Sequence, residues 1–259
     1  LNQSRHGRMM ALWNLAGSSG SVLGPLVLAG AIAIGQGWQQ ALLLLAGLSG
    51  LVLVWLWRMP MLVNRPPSST GGVFHGLGSA IAALKQPSIV RWLILVQVSD
   101  LMLDGFQGYV ALYFVDVMGT SATKASVVMT FWLGVGFLGD LLLIPLLENV
   151  RGFTYLKVSS MLVLFLYPAF LLVPWLSAKY ILLGGLGLLS AGWYSILKGQ
   201  LYTAMPGQSG AVITLSNLFG LVGSLMPLLL GFLALKIGLE STLWVLVIAP
   251  VVLLIGTAL

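Results

Sequence analysis

Gly7 to Gly35 reads GRMMALWNLAGSSGSVLGPLVLAGAIAIG, and 203 positions later Gly210 to Gly238 reads GAVITLSNLFGLVGSLMPLLLGFLALKIG. At that offset eleven of the 29 aligned residues are identical: Gly7/Gly210, Leu12/Leu215, Asn14/Asn217, Leu15/Leu218, Gly17/Gly220, Gly20/Gly223, Ser21/Ser224, Leu26/Leu229, Ala31/Ala234, Ile34/Ile237 and Gly35/Gly238. Apolar composition alone does not align an Asn and a ladder of glycines. A long-period repeat is the first feature to weigh in a sequence, and in an apolar chain it points to a membrane fold made of related halves.

Composition sets the class. Charged residues are 7% of the chain and hydrophobic residues 59%, against about 25% charged in an ordinary soluble domain. So few charges could not cover the surface of a water-soluble fold of 259 residues. Cysteine is absent, which removes disulfide frameworks and thiol chemistry. The net charge of +6 comes from basic residues scattered between apolar stretches, not gathered on one face, so nucleic acid is not an expected partner. Leu1 is not a start methionine and no cleavable leader pattern opens the chain, so both ends read as cut.

Eight stretches are long and apolar enough to cross the hydrocarbon as helices: 9–34, 38–57, 89–115, 122–147, 154–176, 180–203, 210–235 and 241–258. The alternation of a membrane barrel is missing, and buried backbone must be satisfied within each span, so the expected fold is an all-α polytopic bundle. With the first residues in the cytoplasm, nine basic residues fall inside (Arg5, Arg8, Arg58, Arg65, Lys85, Arg91, Arg151, Lys157, Lys198) and three outside (Lys124, Lys179, Lys236). That bias puts both ends of the chain in the cytoplasm, and the plasma membrane of a bacterial-type cell is the expected location. A long linker, 58–87, separates two spans (1–57) from six (88–259). Within it Val73, Phe74, Leu77, Ile81 and Leu84 share one helical face, as in a helix lying along the membrane surface, where His75 is an interfacial residue.

If the first span corresponds to the seventh, each repeating unit holds six helices. The chain then carries the last two helices of one unit and all of the next. Within the first span, Gly20-x-x-x-Gly24-Pro25 resembles the glycine-proline signature of the fifth helix in proton-coupled drug antiporters of the major facilitator superfamily; Ala11 and Leu28-Ala29 stand where that pattern has glycines. The loop Leu147-Glu148-Asn149-Val150-Arg151-Gly152 keeps an acid and one base of the superfamily's charged loop signature, and residues 205–234 look like its loop ten and helix eleven. The resemblance implies helices five to twelve of a twelve-helix carrier, monomeric when full length. It also implies a charge latch at Glu148 and Arg151, and close helix packing or gating at Gly17, Gly20, Gly24 and Pro25. Small residues pack membrane helices closely whatever the family.

The sharpest chemistry lies in three aspartates. An ionised Asp at the centre of a membrane helix costs about 2.5–3.5 kcal/mol. Asp100, Asp104 and Asp140 must therefore face a wet cavity, carry partners or be protonated. Gln97, Asp100, Asp104 and Gln107 are spaced to share one face of the third span. Counting about 1.5 Å per residue, Asp100 and Asp140 reach similar depths and can meet near the midplane. Such carboxylates suit proton coupling: a proton is taken from one side and released to the other as access alternates. Trp132, Trp193, Tyr194, Gln97, Gln107, Asn14 and Asn217 are the expected cavity residues for a small organic solute with apolar and polar parts. Lys198, near the cytoplasmic end, is expected to snorkel.

Enzymatic readings fare worse. Gly17-Ser18-Ser19-Gly20 matches the serine motif of rhomboid proteases, but the histidines that could serve as base, His6 and His75, lie outside the spans. The paired aspartates lack the flanking residues of presenilin-like proteases, since Gly136-Phe137-Leu138-Gly139-Asp140 is one residue too long and Ser99 precedes Asp100. No P-loop, metal-ligand cluster or dinucleotide fingerprint is present, so no cofactor is expected and energy should come from an ion gradient. A pore and a non-transporting receptor are the remaining rivals. Proton-coupled export is the expectation and metabolite uptake the alternative.

Overall fold

The computed structural model describes residues 12–20, 23–24, 27, 38–58, 78 and 81–258. These residues are mostly helical and contain no strand. In chain order the helices are α1 (12–20), α2 (Trp38–Arg58), α3 (Pro87–Asp100), α4 (Phe106–Asp116), α5 (Ala122–Asn149), α6 (Gly152–Leu172), α7 (Leu176–Ser190), α8 (Trp193–Ala204), α9 (Ser209–Gly223), α10 (Met226–Ile237), α11 (Leu239–Leu243) and α12 (Ile248–Ala258). A π turn, Leu101–Gly105, joins α3 to α4, and a 3-10 turn, Trp244–Val247, joins α11 to α12.

Five runs are long and apolar enough to cross a membrane: Ala122–Asn149, Gly152–Leu172, Leu176–Ala204, Ser209–Ile237 and Leu239–Ala258. They coincide with the last five expected spans. Leu42–Arg58 is a shorter apolar helix. The α3–π–α4 run is as long as any of them, but its three aspartates and two glutamines make it more polar. Pro25, Val73, Phe74, His75 and Leu77 lie outside the described residues, and with them most of the expected surface helix.

Local signals place the helix ends. Pro87 opens α3, where its missing N–H costs nothing. Ser121 caps α5, its hydroxyl accepting from the Lys124 N–H. Gly238, at φ +85°, ends α10 in a conformation few other residues adopt.

Outer faces are apolar and exposed, as at Leu142, Phe165 and Ile181, which suits contact with lipid. Inside, Phe106 is fully buried and takes the edge-on rings of Trp132, Tyr167 and Phe170 at 5.3, 5.5 and 5.5 Å. The Tyr167 hydroxyl donates to the Leu243 carbonyl at 2.9 Å. Lipid tails are as apolar as leucine, so close packing and such bonds hold the helices together.

Small residues let helices approach closely. A Cβ at Gly17, Gly20 or Gly24 meets no described atom within 4 Å. The close seams lie elsewhere: a Cβ at Gly139 would sit 2.6 Å from that of Ala191, and one at Gly187 3.2 Å from Val135.

Lys179 departs from the topology count. It is buried, not held in an outer loop, and its ammonium donates to the Tyr113 hydroxyl at 2.7 Å and to the Phe170 and Leu171 carbonyls at 2.5 and 3.3 Å. Those carbonyls belong to the last turn of α6, which has no further helix to bond them.

Candidate functional site

The run from α3 through α4 carries the polar stripe, and the π turn changes its phase. The four side chains do not open on one space. Gln97 and Asp100 line a cavity of about 430 Å³, whereas Asp100, Asp104 and Gln107 line a larger one of about 610 Å³. Asp100 belongs to both walls.

The larger cavity is closed by α5, the α7–α8 junction and α1. Trp132, Gly136 and Asp140 face it from α5, one helical turn apart, as their spacing predicts. Gly139 allows α5 to press on Ala191, and the chain then breaks at Gly192, whose φ is +79°. A side chain at Gly192 would collide with Leu143, so glycine is required there for space as well as for conformation. The break brings Ser190 and Tyr194 to the cavity wall.

Asp140 is 6% exposed, and its carboxylate is held from α1. The Asn14 amide donates to Oδ1 at 2.9 Å, and the Ser18 hydroxyl donates to Oδ2. Asn14 and Ser18 are four residues apart, hence on one helix face. Trp13 of the same turn stacks on Tyr194, with ring centroids 6.3 Å apart. Both carboxylate oxygens thus accept hydrogen bonds from a helix more than a hundred residues away in sequence. The described lining of this cavity holds three carboxylates and no basic side chain.

The smaller cavity lies between α3, α8 and α9. Lys198 lines it beside Asp100, with its ammonium 5.4 Å from the centre of the Tyr194 ring. The expected snorkelling lysine thus turns toward an aspartate of the site. Asn217 lines this smaller cavity while Asn14 lines the larger, so the polar pair of the repeat serves two separate spaces.

Trp193 corrects an expectation. It is fully buried, and its indole N–H donates to the Ser159 hydroxyl at 2.8 Å, so it belongs to the core and not to a cavity wall. The break at Gly192 restarts the helix in a new phase, which gives the cavity to Tyr194 and the core to Trp193. Glu148, in the last turn of α5, and Arg151, between α5 and α6, are both exposed, and neither lines either cavity. Among the described residues no cluster of three or more His, Cys, Asp or Glu could hold a metal ion.

Trp13, Ser18, Lys198 and Ser216 were not among the residues the sequence singled out for the site. Ser18 had a visible signal, since it follows Asn14 by one helical turn and so shares its face. No protein-family model matches this chain, and no curated protein matches it.

Proposed function

We propose that this chain is the cavity-forming part of a secondary active transporter, which moves a small organic solute by alternating access and is driven by protons through Asp100, Asp104 and Asp140. The observation that carries the reading is the meeting of all three carboxylates in one cavity of about 610 Å³ inside an apolar helical bundle. A membrane chain bears the cost of such groups where they face a pathway or a proton relay. The cavity suits a modest organic body, with Trp13, Trp132, Phe137 and Tyr194 as apolar walls and Gln107 as a neutral polar contact.

In this reading the chain has eight spans, α1 and α2 ending one six-helix unit and the remainder forming the next, in the manner of the major facilitator superfamily. The repeat between Gly7–Gly35 and Gly210–Gly238 supports that division. The grip of Asn14 and Ser18 on Asp140 is then a contact between units, made in one access state and released in the other. Export is the direction the glycine-proline resemblance favours. Uptake is the second reading, favoured by Lys198 beside Asp100, which offers a place for a proton and an anionic group together.

The test is a screen of labelled organic solutes in inside-out vesicles containing the full-length protein, with the proton gradient collapsed as control. Accumulation that vanishes with the gradient is expected. Currents of single-channel size would replace the carrier by a pore, and saturable binding without movement would replace it by a receptor.

A further inference from the structure

This inference rests on the transport reading and concerns the chemistry of the cargo. The cavity of about 430 Å³ has polar side chains whose hydrogen-bonding capacity is unspent. Ser216 is 8% exposed, and its hydroxyl has no partner in the protein. Gln97, Asn217 and Lys198 form no side-chain hydrogen bond among the described residues, and all three line the same space. Buried polar groups in folded proteins are paired, so an orphaned hydroxyl at a cavity wall asks what completes it.

The set is rich in donors. Lys198 offers N–H groups and no acceptor, the two amides each offer an NH₂, and Ser216 offers its hydroxyl. Two glycines give them room on α9. A Cβ at Gly220 meets nothing within 4 Å, and one at Gly223 would collide with the Gln97 amide oxygen. The facing charges are Asp100 from α3 and Lys198 from α8, with the Tyr194 phenol between them; α9 contributes no titratable side chain. Asp104 stands beyond the shared wall, in the larger cavity.

We infer that the smaller cavity seats the carboxylate of an organic acid, with Lys198 supplying the charge, Ser216, Asn217 and Gln97 the hydrogen bonds, and Tyr194 a surface for the adjoining apolar body. One ammonium matches one negative charge. A doubly charged phosphate would leave a charge uncompensated next to Asp100. Asp100 competes with the cargo when ionised and leaves Lys198 to the cargo when neutral.

The test is equilibrium binding to the full-length protein in lipid nanodiscs, read by calorimetry, with phenylacetate, phenylacetamide and phenethylamine as probes of one shape and three head groups. Phenylacetate should bind, with the amide about tenfold weaker, because a charge-assisted bond is replaced by a neutral one. Lys198→Gln should lower phenylacetate affinity about tenfold and the near-isosteric Ser216→Ala about threefold. Asp100→Asn, which removes the competing charge, should raise it. Phenylacetate that binds both variants as it binds the parent overturns the assignment, as does tighter binding of phenethylamine or no binding of phenylacetate at millimolar concentration. No gradient is present, so Lys198-dependent binding survives a failure of the transport reading. Gradient-driven movement of other solutes in vesicles likewise survives a failure of this one.

Discussion

Replacing Asn14 by alanine tests the contact that ties α1 to the cavity. Asp140 is 94% buried by its 6% exposure, and it accepts one bond from Asn14 and one from Ser18. A hydrogen bond to a charged group contributes about 1.5–3 kcal/mol. Each 1.4 kcal/mol is a factor of about ten in an equilibrium. Asn14→Ala should therefore raise the population of states in which α1 has left α5 by roughly ten- to a hundredfold. The chain has no cysteine, so a single introduced thiol is its sole reporter. Gly136 is the position for it, because it lines the larger cavity and a Cβ there meets nothing within 4 Å. In Gly136→Cys protein, labelling by a membrane-impermeant maleimide should speed up from one membrane face by about that factor when Asn14→Ala is added. Ser18→Ala should act in the same direction. Labelling rates identical to the parent from both faces, in both variants, would refute the idea that this contact gates the cavity.

Further expectations concern packing and buried polar groups. Gly139→Ala puts a methyl 2.6 Å from the Ala191 Cβ and should lower stability in detergent by about 1–3 kcal/mol, whereas Gly20→Ala, with open space, should be neutral or slightly stabilising; a thermal melt of each variant reads the difference. Lys179→Met removes the donor to Phe170 and Leu171 and should cost about 1.5–3 kcal/mol, lowering the melting temperature without changing solute affinity. Trp193→Phe strips the Ser159 hydroxyl of its donor and should also act on melting alone, at about 1–3 kcal/mol. Trp132→Leu, at the cavity wall, should weaken solute binding; the reverse pattern between the two tryptophans would mean that their roles have been exchanged.

The helical architecture could be read from the chain because the membrane imposes simple rules. Runs of apolar residues must be helices, and the last five expected spans are long apolar helices in the structure. Asp100, Asp104 and Asp140 could be picked out because a carboxylate in an apolar run demands an explanation, and depth counting places Asp100 and Asp140 near each other. What escaped were features that depend on phase and on neighbours. The π turn at Leu101–Gly105 leaves no mark in the periodicity, and a shared helix face does not reveal a wall across it, so Gln97 and Gln107 read as one space although they line two. Gly192 gave no sign of a break, and directly after it Trp193 enters the core while Tyr194 keeps its expected place at the cavity wall. A lysine in an apolar chain reads as a topology marker by default. Only the fold reveals that Lys179 binds the carbonyls of α6 and that Lys198 turns toward Asp100. Glycines in a span suggest close packing, yet the space around Gly17 and Gly20 depends on what stands opposite, and one chain does not state that.

The central claim is that the carboxylates of the larger cavity couple solute movement to protons. It is tested most directly by gradient-driven transport in inside-out vesicles for Asp140→Asn and Asp100→Asn, alongside solute exchange at equilibrium with no gradient. Accumulation driven by the gradient should be lost in both variants while the protein remains in the membrane and exchange persists. Accumulation at the parent's rate in both would contradict it.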